Sequence, residues 1–545
     1  MGFQRLFLFL IFSFSLVILW SDWVRQNQPP APPVTSSAAH DASVPSAPVQ
    51  TVQSPAVATP VEVQKAPAGK KIVIKTDTFV AEIGSIGGNL QHLELLQHRD
   101  TADQSKPIIL LQREGEHTYL AQSGLLGKDL PTHNGEFSAT AEEFLLAEGK
   151  DTLEVRLTAV GTGSVHVAKV YTFHRASYLV DVAYEIENKS SAALAPSAYF
   201  QFIRDSIPPA GDSVFVPTYT GPAIYTDLEK FQKIDFATIE KNKAEIPHNP
   251  NNGWIGMLQH YFVAAWLPQG KDTREFYAKK LDGNLFSAGV VLPVASIEPG
   301  QVGRISTPLY IGPAQAKLDE IAPGLGLTVD YGWLTIFATP LFWLMSLFND
   351  WVHNWGVAII LLTILIKLVF FPLSAASYRS MAKMRVVAPK LEKIKQQYGD
   401  DRERLNKAMM ELYKTEKINP LGGCLPVLIQ IPVFIALYWA ILSSVELRNA
   451  PFFGWIHDLS ATDPYYILPL IMGISMLIQS KLNPVPPDPL QAKLMQIMPI
   501  AFSVVFFFFP AGLVLYSIVN NILSIGQQWY ITRGEETARK GGAKA

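Results

Sequence analysis

Apolar and polar residues alternate in short runs from Lys70 to Pro313: KIVIKTDTFVAEI, TLEVRLTAV, HVAKVYTF, YLVDVAYEIEN, SAYFQFI, FSAGVVLP and TPLYIGP. A period of two sends successive side chains to opposite faces of a strand, and the Gly, Asn, Asp and Pro turns between the runs predict antiparallel pairing. So many short strands in succession predict a large β-sandwich over residues 70–325. GSIGGNL, Gly84 to Leu90, is a Gly-rich turn between two of them; no helix with GxGxxG spacing follows, which excludes a nucleotide loop.

Past residue 325 the period changes. In PLFWLMSLFNDWVHN, Leu341, Trp343, Leu344, Leu347, Phe348, Trp351 and Val352 recur at i, i+3, i+4 spacing, so the segment 326–354 should end in an amphipathic helix lying on a membrane surface. Five apolar runs follow, at about 355–373, 420–444, 464–480, 494–509 and 511–530. Two are short for a full hydrocarbon core, implying a thinned bilayer or shielding by neighbours. Residues 6–24, LFLFLIFSFSLVILWSDWV, make a sixth candidate span. No small-x-small cleavage site directly follows it, so residues 1–25 read as an uncleaved anchor rather than a signal peptide. Residues 26–69, rich in Pro, Ala, Ser, Val and Gln, cannot bury a core and are expected to be a disordered tether. The expected fold is a six-span α-helical membrane bundle carrying a large all-β domain.

Charge orients it. The loop 374–419 carries Arg379, Lys383, Arg385, Lys390, Lys393, Lys395, Arg402, Arg404, Lys407, Lys414 and Lys417, whereas the loop 445–463 has only Arg448. The first loop is therefore cytoplasmic and the second is not. Threading the spans alternately puts both termini, including the tail 531–545, in the cytoplasm and residues 26–339 outside. The basic loop reads as two helices broken at GDD, with Gly399 ending one and Asp401 capping the next. Its positive excess suits topology and lipid headgroups, and leaves a ribosome or a targeting factor as a candidate partner.

Composition agrees: 48% hydrophobic residues and a mean hydropathy of +0.16 place part of the chain in lipid. A net charge of −2 gives no whole-chain attraction to nucleic acid. The single cysteine, Cys424, excludes an internal disulfide, and with no nearby His or second Cys it completes neither a metal nor a nucleophile site. No nucleotide motif, metal site or cofactor is expected.

The candidate chemistry centres on TILIKLVFFPL. Lys367 stands six residues before Leu373, about 9 Å from the expected cytoplasmic end of its span. Spans two to six contain no Asp, Glu or His to neutralise it, and an unpaired cation in hydrocarbon costs on the order of 3 kcal/mol or more. Thr363 lies one turn away on the same face, Gln430 in the third span and Ser503 in the fifth, while Tyr516, Asn520, Ser524 and Gln527 form a stripe in the last. Snorkelling and helix-to-helix hydrogen bonds account for each residue singly. Together they point to a hydrated, positive recess open to the cytoplasm, able to hold the polar flank of another polypeptide. Pro426, Pro432 and Pro499 free backbone groups that leave a seam facing lipid. A small-solute transporter is the alternative, but it usually needs carboxylates at midplane. A carbohydrate-active enzyme built on the sandwich would need a carboxylate constellation that is not visible.

SYRSMAKMRVVAPKLEKIKQQYGDD, ELYKTEKINPLGGCLPVLIQIPVFIALYWAI, SVELRNAPFFGWIHDLSATDPYYILPLIMG and FPAGLVLYSIVNNILSIGQQ resemble the YidC family of bacterial membrane protein insertases. NNGWIGMLQHYFVAAWLP and LTVDYGWL resemble its Gram-negative periplasmic domain. The resemblance implies a non-enzymatic insertase and chaperone in the inner membrane, acting on nascent membrane proteins alone or with the Sec translocon. It implies a five-helix core with a groove open to cytoplasm and lipid but closed outside, a cytoplasmic helical hairpin, and a periplasmic β-supersandwich. The family's groove charge is usually arginine; by position it is Lys367 here, which keeps the charge and loses the planar fork. Relatives often carry paired tyrosines where this chain has Tyr516 and Ser517. Client helices are expected to slide past Ile431 and Pro432 and past Val504, Val505 and Phe506.

Overall fold

The computed structural model describes residues 44–45, 69–100, 103, 105–113, 117–161, 163–209, 218–399, 401–416, 425–483 and 489–542. The expected anchor at 1–25 and all of the tether at 26–69 except Val44, Pro45 and Gly69 lie outside them. Eighteen strands are described: β1 (Lys71–Lys75), β2 (Phe79–Gly84), β3 (Asn89–Arg99), β4 (Pro107–Leu111), β5 (Tyr119–Leu126), β6 (Phe137–Ala139), β7 (Glu143–Leu145), β8 (Thr152–Ala159), β9 (Val165–His174), β10 (Leu179–Asn188), β11 (Ser197–Asp205), β12 (Gly221–Thr226), β13 (Lys230–Lys233), β14 (Trp254–Gln259), β15 (Phe262–Trp266), β16 (Glu275–Lys280), β17 (Leu285–Pro293) and β18 (Val302–Pro313). They form two sheets, one ordered β16-β17-β11-β5-β3-β2-β1-β7 with β4 on β3, the other β13-β12-β14-β15-β18-β10-β9-β8-β6. Pairing is antiparallel apart from β1 with β7. All the strand runs picked out by alternation are strands, and the sandwich is the all-β domain expected.

One apolar layer lies between the sheets, with Phe200, Phe202, Trp266, Val182 and Tyr184 among its members. Trp266 packs on Phe200 and Phe202 at ring separations of 5.1 and 5.9 Å. GSIGGNL is the turn from β2 to β3, where Gly87 adopts φ +75° and a Cβ would stand 1.8 Å from the His133 carbonyl oxygen. Lys169 of β9 is wholly buried beside that turn, donating to the carbonyls of Gly87 and Ser123 at 3.1 and 3.4 Å. Burial pushes its ammonium well below the usual lysine range. The outer face of the second sheet is apolar too: Ala223, Tyr225, Trp254, Val263, Ala265 and Tyr310 join a second core shared with the helices. That is why β12, β14 and β15 read as nearly continuous apolar runs rather than alternating ones.

Helix α1 (Phe236–Glu240) is a single short turn. The rest follow the sandwich: α2 (Thr335–Val352), α3 (Trp355–Val369), α4 (Phe371–Tyr398), α5 (Arg402–Thr415), α6 (Leu425–Ser443), α7 (Ile467–Leu482), α8 (Pro489–Phe506) and α9 (Ala511–Gly542). The amphipathic helix starts five residues before Pro340, burying Ala338, Phe342 and Met345 while Ile336, Phe337, Trp343 and Trp351 stay exposed. Asn354 caps α3 by accepting from the Val357 amide at 3.0 Å. Asp401 caps α5 as expected, accepting from the amides of Glu403 and Arg404, but Gly399 remains right-handed at φ −55° instead of making a left-handed stop.

Among the described residues no single helix is long and apolar enough to cross a membrane; α3 and α4 together are, with a bend of 66° at their junction. Polar residues are the reason in α9, where Asn520, Asn521, Gln527 and Gln528 interrupt the apolar run.

The sandwich is joined to the helices by specific contacts. His260 Nε2 lies 2.8 Å from the Leu442 carbonyl, so this nitrogen carries the proton and satisfies an acceptor in the last turn of α6. Ser443 Oγ donates to the Asp330 carbonyl at 2.6 Å, and Asp330 pairs with Lys233 at 2.5 Å. Arg448 stacks over Tyr261 and Phe262. His98 meets the edge of Phe262 and bonds to the Tyr178 hydroxyl. Burial and then the Arg448 charge push its imidazole from 6.5 down to about 4.

The folded protein thus keeps His98 neutral where the unfolded chain takes up a proton. His98 stabilises fully above pH 6.5, and that contribution is lost as pH falls from 6.5 toward about 4. With its partial solvent access, the loss is on the order of 2 kcal/mol. Melting curves of the detergent-solubilised protein should show the parent losing stability over that range and His98→Gln losing distinctly less.

Candidate functional site

The polar residues of the helical region gather where α3, α6 and α9 meet. α3 ends at Val369, four residues short of the expected end of its span, and the chain turns into α4 through Phe370 and Pro372. Lys367 therefore sits in the last turn of α3, where its ammonium is favoured by the negative end of the helix dipole. It is 3% exposed, and Nζ donates to Ser524 Oγ of α9 at 2.7 Å. Ser524 in turn donates to the Asn520 carbonyl at 2.7 Å. One hydroxyl thus accepts from α3 and donates within α9, tying the two helices together. Among the described residues Lys367 makes no ion pair and no second hydrogen bond, leaving two N–H groups for water or an incoming acceptor.

One turn up α9, Asn520 Oδ1 accepts from Gln430 Nε2 of α6 at 3.1 Å. Both residues are half-buried, so the cluster runs from a covered cation to an accessible amide pair. Thr363 is fully buried and donates to the Ile359 carbonyl of its own helix, lining the same side of α3 without bonding to Lys367. Gln527 has a buried amide oxygen with no partner among the described residues.

Two residues expected in this recess stand elsewhere. Ser503 of α8 donates to the Pro469 carbonyl of α7, and the absence of a Cβ on Gly473 makes room for it. Tyr516 is buried among aromatic rings, tilted against Phe434 at 6.4 Å. Along the expected sliding face, Ile431, Val504 and Val505 are 47%, 56% and 47% exposed, and Pro432 is half-buried. Phe506 points inward at 5% exposure and packs edge-on against Phe434 and beside Phe509, because the turn after α8 needs an apolar plug at that position.

Sequence reasoning passed over a second polar link. Asn521 Nδ2 donates to Ser475 Oγ of α7 at 3.1 Å, and Gln528 reaches the Leu482 carbonyl and Asn483. The signal was present in the paired NN and QQ of α9, whose second members face α7 while Asn520 faces α6. At the other end of the bundle the loop 445–463 is folded shut. Ala511 and Gly512 donate backbone bonds to Ala461 and Leu459, Asp463 holds the start of α7 and the Trp455 indole, and Leu447, Ile456 and Leu459 are buried. Burial raises the Glu446 carboxyl in this loop above its ordinary range.

Residues 71–344 match the family described as the YidC periplasmic domain, and residues 347–539 that described as the 60Kd inner membrane protein. A membrane protein insertase YidC of Nitrosospira multiformis is 54% identical, with 97% of each chain covered. One of Aromatoleum aromaticum is 55% identical over 99% of this chain and all of its own. A crystal structure of an active YidC insertase with its first transmembrane domain resolved aligns over 85% of this chain and 95% of its own, at 20% identity and a TM-score of 0.40.

Ser524→Ala removes the hydroxyl that accepts from Lys367 and donates to the Asn520 carbonyl. A bond to a charged group contributes about 1.5–3 kcal/mol, so a loss of that order is expected in the helical region, with Ser524→Thr close to the parent. Denaturant titration in mild detergent, followed by helix content, measures both.

Proposed function

The chain belongs to the YidC family of membrane protein insertases, and from that premise we propose that the cluster of Lys367, Ser524, Asn520 and Gln430 is the place where a client polypeptide's polar flank is received. It acts on nascent membrane proteins. The observation that carries the reading is the Lys367 ammonium, buried against Ser524 at 2.7 Å with no carboxylate paired to it among the described residues. A cation held in an apolar bundle without a counter-charge is unfavourable by several kcal/mol until water or an anion reaches it. Spare N–H groups on Lys367 and the half-exposed amides of Gln430 and Asn520 supply donors and acceptors for an acidic or polar segment.

Chemistry at this site is physical rather than covalent. The client's polar tail docks on the cluster while its apolar span lies along Ile431, Val504 and Val505, which face outward. Transfer of that span into lipid, worth about 0.8 kcal/mol per buried CH₂, drives release. The folded loop 445–463 supports a recess closed at its far end, so polar groups meet the site at its accessible amides, Gln430 and Asn520. In this reading the apolar helices and the residue 6–24 run make six spans in the bacterial inner membrane, with α4, α5 and both termini in the cytoplasm. The basic hairpin then meets headgroups and a ribosome or targeting factor, and the periplasmic sandwich faces the Sec translocon. Because the apolar helices are short, the bilayer around them is thinned, which shortens the path of the client tail.

An insertion assay with single-span clients carrying acidic or neutral tails tests this. Lys367→Arg should sustain insertion, Lys367→Ala should lower it about tenfold for acidic tails, and Lys367→Glu should lower it further, with neutral tails much less affected. Equal insertion of acidic-tailed clients by Lys367→Glu and the parent would remove electrostatic capture from the account.

A further inference from the structure

Around β5, β11 and β17 the first sheet is buried even on the face that points away from the sandwich core. In β11, Phe200 and Phe202 enter the core, so Tyr199 and Gln201 point the other way, yet both are 0% exposed. Cross-strand neighbours continue the pattern in two rows: Tyr277, Gly289, Gln201 and Gln122, then Val291, Tyr199 and Gly124. The glycines let the tyrosines lie across the sheet, since a Cβ on Gly289 or Gly124 would stand 2.5 Å from the Tyr277 or Tyr199 hydroxyl oxygen. The hydroxyls are fixed: Tyr277 donates to Gln201 at 2.7 Å, and Tyr199 lies 2.6 Å from His133 Nδ1. Leu126, Tyr199, Tyr277 and Val291 thereby form an apolar cluster separate from the main core, and the residue packed on it is Val44, with Pro45 buried beside it.

Val44 and Pro45 come from the segment expected to be a tether. We propose that this face is a docking site for a proline-containing segment, filled in cis by Val44–Pro45. The chemistry suits the occupant. A residue before proline is already held extended, so little entropy is lost on docking, and flat aromatic rings with fixed hydroxyls are a surface on which proline and a small aliphatic neighbour pack. The consequence is a shorter leash. Residues 26 to 43 can span at most about 60 Å, against about 150 Å for residues 26 to 70, so docking more than halves the greatest distance between the sheet and the N-terminal apolar run. The proposal is independent of the insertase reading, because it concerns neither Lys367 nor a client.

Photo-crosslinking in the full-length protein tests it. With p-benzoylphenylalanine replacing Val44, the main adduct should be intramolecular, map to peptides containing Leu126, Tyr199, Tyr277 or Val291, and exceed by at least fivefold that from the same probe replacing Ala56. Adducts no more focused than those of the Ala56 probe, or adducts chiefly on a second polypeptide, overturn docking in cis. A second measurement avoids the bulky probe: Val44→Asp with Pro45→Gly should raise nitration of Tyr277 by tetranitromethane at least threefold in the folded protein. Unchanged nitration overturns the proposal.

Discussion

A lysine ammonium pressed against a serine hydroxyl among apolar helices organises the helical half of this protein. Lys367 sits in the last turn of α3 because the chain bends by 66° immediately after it, and from there it donates across to Ser524 of α9. Two helices are thereby tied at one oxygen. The arrangement uses the Ser524 proton and leaves two Lys367 N–H groups without a partner among the described residues, and the proposed receptive role rests on that remainder. If Lys367 existed only to hold α9, a neutral donor would serve at far lower desolvation penalty.

The two domains serve that site differently. Apolar surface on both faces of β12, β14 and β15 lets the sandwich share a core with α2, α3 and α6, and His260, Ser443 and Arg448 fix the joint. The loop 445–463 packs against the starts of α7 and α9, with Leu447, Ile456 and Leu459 buried. In the proposed reading, the polar cluster and the exposed apolar residues Ile431, Val504 and Val505 offer a polar segment and its apolar neighbour separate surfaces.

Much of this was legible in the sequence, for physical reasons that also mark where legibility stopped. Strands such as β8, TLEVRLTAV, announced themselves because one face is polar and less buried, whereas SAYFQFI of β11 was found by its pattern although both its faces are covered. Lys367, Gln430, Asn520 and Ser524 could be picked out because polar residues in apolar runs are rare, and the structure brings these four together. Ser503 and Tyr516 looked identical on that criterion but point at α7 and at Phe434, since spacing along one helix does not say which neighbour it meets. The same limit hid the Asn521–Ser475 link, the partner of Arg448, and the seat of Val44 and Pro45: each depends on contacts between residues far apart in the chain. Phe506 followed the outward run of Val504 and Val505 in sequence, but the helix ends there and turns it inward.

The central claim is that water and polar client segments reach the Lys367 cluster from its amide side. Cysteine placed at Gln430 in a Cys424→Ser background, treated in membranes with a charged, membrane-impermeant maleimide, reads this directly. The account predicts rapid labelling from the cytoplasmic side, slowed when a stalled client with an acidic tail is bound. Labelling no faster than at a lipid-facing control such as Ile474, with or without client, would contradict it.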